Sequence, residues 1–254
     1  MIKFFRKIRQ KMLIENKFSN YLIYAIGEII LVVIGILIAL AINNSNQNRV
    51  IQKKEQTYLN GLKAEFQTSK FKLSELIKIN KSNFYGAKKL LEDISNKNES
   101  PSEKQFSELL LNTFSSDISF NPNNSLLSEM ISSGSLKDIS NTTLRIKLTN
   151  WISTIEDVSK QESELGIQRE KVLDIFRTNE NSLRTIFDLT GISQEIGLQK
   201  MEQTVSNLDL LKSRKFENNI LMFILTTNAM EKAHYQPLME DLDSILKLIE
   251  NEIK

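Results

Sequence analysis

The longest apolar run of the chain extends from Tyr21 to Ile42, near the N-terminus. Its twenty-two residues, YLIYAIGEIILVVIGILIALAI, include one charged side chain, Glu28. At ~1.5 Å per residue, a helix of this length measures roughly 33 Å, which is enough to cross the ~30 Å hydrocarbon core of a bilayer. The run therefore predicts a single transmembrane helix over residues 21–42.

Beyond this run, apolar residues recur at alternating steps of three and four, as in the amphipathic helices of bundles and coiled coils. The first such pattern predicts one long helix over about residues 50–95. Residues 43–49, which precede it, are expected to form a polar collar or hinge. The stripe of this helix comprises Leu59, Leu62, Phe66, Ser69, Leu73, Leu76, Asn80, Asn83, Ala87, Leu90 and Ile94.

A second pattern of the same kind predicts a long helix that is capped by Asn141 or Thr142 and ends near Gly191. Its stripe comprises Leu144, Leu148, Trp151, Ile155, Val158, Glu162, Leu165, Arg169, Val172 and Phe176, and Leu183 and Ile186 continue it.

A third pattern runs from Phe216 to Ile249 and contains Pro237. Proline removes the hydrogen bond to the carbonyl four residues back, so we expect a kink there. His234, the only histidine, is expected to be partly buried and to satisfy a freed carbonyl; a pH-sensing role is the alternative.

Short elements connect the long helices. Ser100, Pro101 and Glu103 have the spacing of a capping box, which predicts a short helix to about residue 115. A loop at residues 120–124 and a further short helix follow, and the latter should end at a left-handed Gly134.

Strand signals are absent from the sequence, since it has neither alternating β-branched runs nor Asn-Gly hairpins. The predicted fold class is all-α, with a single N-terminal transmembrane helix followed by a bundle of long helices. The predicted domains are a basic leader (1–20), the transmembrane helix (21–42), the polar hinge (43–49) and an extracytoplasmic bundle (50–254).

Charge predicts the orientation in the membrane. The leader opposes one acid, Glu15, with six basic residues, and the positive-inside rule places such a segment in the cytoplasm. The bundle would then be periplasmic, and the protein would lie in the inner (cell) membrane. The net charge of +2 is due to the leader, so no nucleic-acid partner is expected. The basic residues are Lys3, Arg6, Lys7, Arg9, Lys11 and Lys17.

A cleaved signal peptide is the alternative to a retained anchor. Residues 29–38 could serve as its apolar region, and Ala39-Leu40-Ala41 matches the small-x-small cleavage pattern. Such a peptide would be about forty residues long, beyond the usual ~15–30, which favours retention.

Catalytic chemistry has little support in the sequence. One histidine and no cysteine exclude thiol nucleophiles and multi-histidine metal sites, and the eight glycines form no phosphate-binding loop. We expect no enzyme activity, no catalytic residue, no cofactor and no metal. The acidic residues of the helices are expected on solvated faces; examples are Glu162, Glu164, Glu240, Asp241 and Asp243.

Glu28 is the one polar group of the apolar run that hydrocarbon penalises strongly. It shares a helical stripe with small residues that permit close helix approach, which favours an intramembrane contact with a second copy or another membrane protein. Snorkelling towards the inner headgroups, assisted by Tyr24, and a proton-relay role are the alternatives. The predicted interface comprises Ala25, Glu28, Val32, Gly35 and Ala39.

The stretch IKFFRKIRQKMLIENKFSNYLIYAIGEIILVVIGILIALAINN resembles the N-terminal signature of a family of single-pass membrane proteins from Bacteroidota. The resemblance rests on the basic leader, the Gly27-Glu28 step and the Ile-Asn-Asn exit, and more loosely on Ser-Gly-Ser-Leu at residues 133–136. Ser45 stands where that family usually has Trp, which removes an aromatic interfacial anchor. The resemblance implies the same topology and an inner-membrane location, and it implies no activity.

Two functions are compatible with these features. The first is a membrane-anchored, non-enzymatic interaction or scaffold protein, whose partners are the lipid bilayer and either itself or another membrane protein. The second is a periplasmic sensor-like module that binds a ligand and acts through a separate partner.

The predicted topology can be tested with single cysteines. Cysteines at Ser45 and Ser213 should react with an impermeant thiol reagent on intact spheroplasts, and one at Ser19 should not, because only the first two would face the periplasm. The opposite labelling would contradict the orientation. An intact mass that begins at Met1 would exclude cleavage after Ala41.

Overall fold

The computed structural model of the chain describes residues 18–96 and 99–253. The described part is all-α and contains no strand, as predicted. The six basic residues of the leader, Lys3, Arg6, Lys7, Arg9, Lys11 and Lys17, lie outside the described residues.

Eight α-helices are described, together with short 3-10 and π turns. They are α1 (Phe18–Ser95), α2 (Glu103–Phe114), α3 (Ser125–Ser132), α4 (Thr142–Leu173), α5 (Leu183–Thr190), α6 (Ile192–Glu195), α7 (Arg214–Met230) and α8 (Gln236–Glu252). The 3-10 turns span Ser135–Asp138, Asp174–Arg177 and Leu208–Lys212, and a π turn, Glu231–Tyr235, joins α7 to α8.

The chain forms two compact units, residues 1–55 and residues 56–254, and helix α1 contributes to both. In the first unit, the described residues form one helix whose apolar side chains are exposed. The polar segment 43–49 is helical and does not interrupt α1. Its role as a hinge stays a prediction.

In the second unit, the stripe of α1 supplies one wall of the core. Every predicted stripe position from Leu59 to Leu90 is buried, and only Ile94 at the end is partly exposed. The stripe of α4 is also buried, except for the half-buried Ile155 and Arg169. The aromatic rings of Phe66 and Trp151 join the two walls at a centroid distance of 5.3 Å.

Helices α2, α7 and α8 complete the bundle. The Phe114 ring of α2 meets the Phe223 ring of α7 at 5.0 Å, edge to face, and Phe106 meets Phe216 at 6.2 Å. The buried side chains of α8 are Leu238, Leu242, Ile245, Leu246 and Ile249, so the third predicted pattern is also a core stripe.

Several predicted helix ends are confirmed. Asn141 caps α4, with its side-chain oxygen accepting a hydrogen bond from the Leu144 N–H at 2.9 Å. Gly134 follows α3 with φ 70°, the left-handed conformation that glycine adopts without strain. Just before Pro237, the π turn Glu231–Tyr235 replaces a regular helical turn, and Pro237 itself lies in the first turn of α8.

Two predicted boundaries are wrong. The cap of α2 is Ser102 and not Ser100, because Ser102 forms a reciprocal capping box with Gln105. The second long helix ends at Leu173 and not near Gly191. Ser182 starts a new helix there, since the distant Asn207 side chain accepts from its N–H at 2.8 Å and donates to its carbonyl at 2.9 Å.

Gly86 of α1 is a position where helix packing excludes a side chain. A Cβ at Gly86 would lie 2.2 Å from the Thr113 Oγ1 and 3.2 Å from its Cβ. Thr113 is buried, and its hydroxyl donates to the Leu109 carbonyl at 2.7 Å, so it has little room to move. Helix α1 therefore requires glycine at this contact with α2.

This contact predicts opposite effects for two glycine-to-alanine substitutions. Gly86→Ala should destabilise the bundle by about 1–3 kcal/mol, because overpacking outweighs the gain in helix propensity. Gly166→Ala in α4, where a Cβ meets no atom within 4 Å, should stabilise it by about 0.5–1 kcal/mol. Urea unfolding of both variants measures the difference, and equal effects would contradict the close approach.

Candidate functional site

The first candidate site is the apolar part of α1. This helix contains one stretch that is long and apolar enough to cross a membrane, and none of that stretch is buried. The predicted interface residues Ala25, Glu28, Val32, Gly35 and Ala39 all lie on it, and helical spacing places them along one face.

The surface of this stretch is open to a partner. Val32 is 56% exposed, and a Cβ at Gly35 would meet no atom within 4 Å. Glycine and alanine one turn apart give a helix a shallow strip against which another backbone can pack closely. Contact of this strip with another helix stays a prediction.

The second candidate site is an open groove of about 690 Å³ on the bundle. One wall is helix α4, and the other is the segment that joins α2 to α3, residues 115–124. Its polar lining comprises Asp117, Ser119, Ser159, Glu162, Ser163, Arg169, Glu170, Lys171 and Asp174.

At one end of the groove, most charges are already paired. The guanidinium of Arg169 donates to the Phe114 carbonyl at 2.8 Å and contacts Glu170 at 3.1 Å. Arg177 bridges Glu170 and Asp174, at 2.8 Å and 2.5 Å. These ion pairs are largely exposed, so each contributes little stability, but together they leave this end close to neutral.

At the other end lies Glu162, a carboxyl group that is only 5% exposed. Its Oε1 accepts two hydrogen bonds, one from the Tyr235 hydroxyl at 2.7 Å and one from the Phe120 N–H at 2.9 Å. Glu162 therefore ties α4 to the π turn and to segment 115–124. Within the described part of the chain, no ion pair includes it.

The surroundings of Glu162 favour its neutral form. Burial raises the pKa of Glu162 from its ordinary value of 4.5, the hydrogen bonds from Tyr235 and Phe120 oppose the rise, and the nearby Asp117 charge adds to it. Burial and the proximity of Glu162 in turn raise the pKa of Tyr235, so this phenol is neutral at any physiological pH.

The expectation that Glu162 lies on a solvated face is therefore wrong. The signal that could have identified it is its place on the α4 stripe between Val158 and Leu165, a spacing that puts it inside the core. By contrast, Glu164 and Glu240 are exposed, as expected.

His234 is half-buried, as predicted, but it makes none of the described hydrogen bonds. The polar group that reaches the backbone near the π turn is Asn80 of α1, whose amide donates to the Thr227 carbonyl at 3.2 Å and to Glu231 at 3.3 Å. Asn80 lies on the α1 stripe, so the periodicity of the sequence predicts its burial. The same periodicity does not predict its hydrogen-bond partners on the distant residues Thr227 and Glu231.

A second buried carboxyl group, Asp188 of α5, organises the connector that follows it. It accepts hydrogen bonds from the Ser193 hydroxyl, from the Met201 N–H at 3.1 Å and from the Arg184 guanidinium at 3.2 Å. The Ser193 and Met201 hydrogen bonds lower the pKa of Asp188 below its ordinary 3.8, and the Arg184 charge adds to this.

In the described ranges, no three histidine, cysteine or acidic side chains come together in a way that could hold a metal ion. The described residues present two other features: an exposed apolar stretch in α1 and a groove on the bundle that is lined by several carboxyl groups.

Together these features define the class of protein: its described residues form an all-α helical bundle and contain one candidate membrane span. The chain belongs to the Family of unknown function (DUF6090), whose pattern matches residues 28–157, from Glu28 to the middle of α4. The comparison with curated proteins and the comparison with solved structures gave no match.

The hydrogen bonds of Asp188 predict a stability that depends on pH. Because its pKa is lower in the folded state, its contribution is complete above pH 3.8 and is lost as the pH falls through the folded pKa. Asp188→Asn should therefore unfold at a lower urea concentration than the parent protein at neutral pH, and the difference should shrink on acidification.

The control for this experiment is Asp209→Asn, because the Asp209 side chain is 90% exposed and pairs with Lys212 at the surface. This variant should match the parent at both pH values. A difference between Asp188→Asn and the parent that stays constant down to strongly acidic pH would contradict the assignment.

Proposed function

We propose that this chain is a membrane-anchored, non-enzymatic interaction or scaffold protein of the bacterial inner membrane. In this proposal, the apolar stretch of α1 spans the bilayer, the basic leader stays in the cytoplasm, and the bundle lies in the periplasm of a Bacteroidota cell. The observation that supports it best is an 18-residue apolar window with mean hydropathy 2.9, of which no residue is buried. Water penalises such a surface, whereas lipid accommodates it.

One face of α1, the membrane stripe, carries Ala25, Glu28, Val32, Gly35 and Ala39. This face supports a contact between helices within the membrane. Lipid tails give apolar side chains no reason to cluster, so association requires close packing and polar pairing. Gly35 and Ala39 permit the close packing, and Glu28 on the same stripe supplies the polar group. A carboxyl group in hydrocarbon costs about 2.5–3.5 kcal/mol on insertion scales, and a partner helix that accepts or donates a hydrogen bond reduces this cost.

The partner we propose is a second copy of the chain. In such a pair, the two Glu28 side chains would approach each other, and at least one would carry a proton, because two neighbouring carboxylates do not both ionise at low cost. A different membrane protein is the alternative partner. The proposal assigns no catalytic residue, cofactor, metal or nucleic acid to the chain.

The second candidate function is that of a periplasmic sensor-like module, and the groove beside Glu162 favours it. A concave surface of about 690 Å³ is large enough for a small molecule, and three serines together with several carboxyl groups provide hydrogen-bonding partners. Such a module would pass its signal to a separate partner.

Cross-linking in native membranes tests the proposed contact. We expect Gly35→Ile to reduce the cross-linked dimer, because the larger side chain blocks close approach. Glu28→Gln should preserve the dimer, because the amide still forms hydrogen bonds between helices, and Glu28→Leu should weaken it by about 1 kcal/mol.

Gly27→Ile is the matched control, since Gly27 is equally open but lies off the stripe. It should cross-link like the parent protein. If all variants cross-link equally, the stripe is not an interface between copies, and another membrane partner or simple snorkelling of Glu28 becomes the better explanation.

A further inference from the structure

Segment 115–124 contains no helix, and hydrogen bonds from two helices hold its backbone in place. Its side chains Ile118 and Phe120 are buried, but its backbone is fixed by groups from two helices. From α1, Lys72 donates to the Asn121 carbonyl at 3.0 Å, and Ser69 accepts from the Asn123 N–H at 2.9 Å. From α4, Glu162 accepts from the Phe120 N–H at 2.9 Å, and Arg169 donates to the Ser115 carbonyl at 3.5 Å.

A neutral carboxylic acid can accept both hydrogen bonds of Glu162. Both donors, Tyr235 and the Phe120 N–H, share Oε1, and Oε2 accepts no hydrogen bond from the described residues. A neutral acid has one carbonyl oxygen, which can accept two hydrogen bonds, and one hydroxyl group. Oε1 matches the carbonyl oxygen, and Oε2 matches the hydroxyl. A buried carboxylate is stabilised better when donors reach both of its oxygens.

The charged neighbours would not stabilise an ionised Glu162. Asp117 from segment 115–124 repels a negative charge there, and Glu231 lies near the Tyr235 phenol. On α4 itself, Arg169 is engaged with the Phe114 carbonyl and Glu170. From α1, Lys72 is bound to segment 115–124 at Asn121 and Asn123.

The groove offers the alternative position for an ionised side chain. Glu162 forms part of the groove lining, so a rotation about its side-chain bonds exposes the carboxylate to water without unfolding α4. That rotation breaks two bonds at once. The Phe120 N–H and the buried Tyr235 hydroxyl then lose their acceptor, and each unsatisfied buried donor weakens the local structure.

We propose that Glu162 is a proton-operated latch. As a neutral acid, it holds segment 115–124 and the π turn against α4. When it loses its proton to water, the carboxylate turns into the groove, both partners are released, and the segment loosens. The latch is thus closed at lower pH and open at higher pH, which makes the shape of the groove depend on pH.

Trp151 is a built-in reporter of this latch, because it is the only tryptophan of the chain. Its indole N–H donates to the Asn124 side chain at 3.0 Å, and its ring meets the Phe120 ring at 6.4 Å, edge to face. Both contacts are with segment 115–124. Loosening of the segment should therefore shift the emission of Trp151 and increase its quenching by acrylamide.

The experiment follows the emission and quenching of Trp151 from about pH 4 to about pH 9, with the full chain in detergent micelles. This pH range includes the pKa values known for buried glutamates. We expect one transition towards a more accessible Trp151 as the pH rises. In Glu162→Gln it should be lost, because the neutral amide keeps an oxygen acceptor at every pH. In Glu164→Gln, an exposed neighbour on α4, it should be retained.

Two further variants should both shift the midpoint of the transition to lower pH. Asp117→Asn removes the repelling charge at an exposed position and should move the midpoint to lower pH. Tyr235→Phe removes a donor that holds the neutral side chain in the closed position and that the ionised side chain in the groove no longer uses, so it should also move the midpoint to lower pH.

These shifts separate a latch from a purely structural role, since a structural role would change stability without moving the midpoint of the pH transition. A parent curve identical to that of Glu162→Gln would overturn the proposal. If Glu162→Gln does not fold, the test rests on Asp117→Asn, and an unchanged midpoint in that exposed variant would overturn it equally.

Discussion

The fold depends on one constraint: the stripe of α1 between Leu59 and Leu90 must be buried along its whole length. A helix of this length presents a continuous apolar strip that no single short element can cover. Helices α2, α4, α7 and α8 bury it together, with contacts such as that between the Phe66 and Trp151 rings. Because the core side chains of α1 from Leu59 to Leu90 are buried, the other helices are positioned by the shape of this strip.

Polar residues placed within these stripes make the packing specific. Asn80 on α1 and Glu162 on α4 occupy core positions, and each reaches partners on the chain near the π turn. Their burial is costly unless their hydrogen bonds form, so it selects one register of the helices over others. Two buried polar atoms, Asn80 Oδ1 on α1 and Ser107 Oγ on α2, have no hydrogen-bond partner among the described residues. Each of them makes the packing of its helix less stable than an apolar side chain would.

Periodicity and local capping predicted much of this architecture. The stripe of α1, the cap at Asn141 and the left-handed Gly134 depend on residues close in sequence, and the structure agrees with all three. The predictions failed where a residue distant in sequence determines a helix boundary. Asn207 pairs with the Ser182 backbone twenty-five residues away and starts a separate helix α5, so the apolar steps that continue past α4 belong to two helices.

The candidate sites were predictable to different degrees for the same reason. The membrane stripe lies on a single helix, so the spacing of its residues in the sequence is enough to predict which of them share a face. The groove needs α4 and segment 115–124 in place together, and its buried carboxyl group Glu162 also contacts the π turn. No local pattern indicates that these three meet. The position of Glu162 on an apolar stripe was visible in the sequence, but the donors that surround it come from residues 42 and 73 positions away.

The most direct test of the central claim is amide hydrogen exchange of the full chain in micelles, resolved along α1. If the stripe of α1 organises the bundle, amides around Leu62, Leu73 and Leu90 should exchange as slowly as those of α4, because both open only on global unfolding. Fast exchange of α1 residues 59–90 alongside a protected α4 would show that the bundle stands without this helix and would contradict the account.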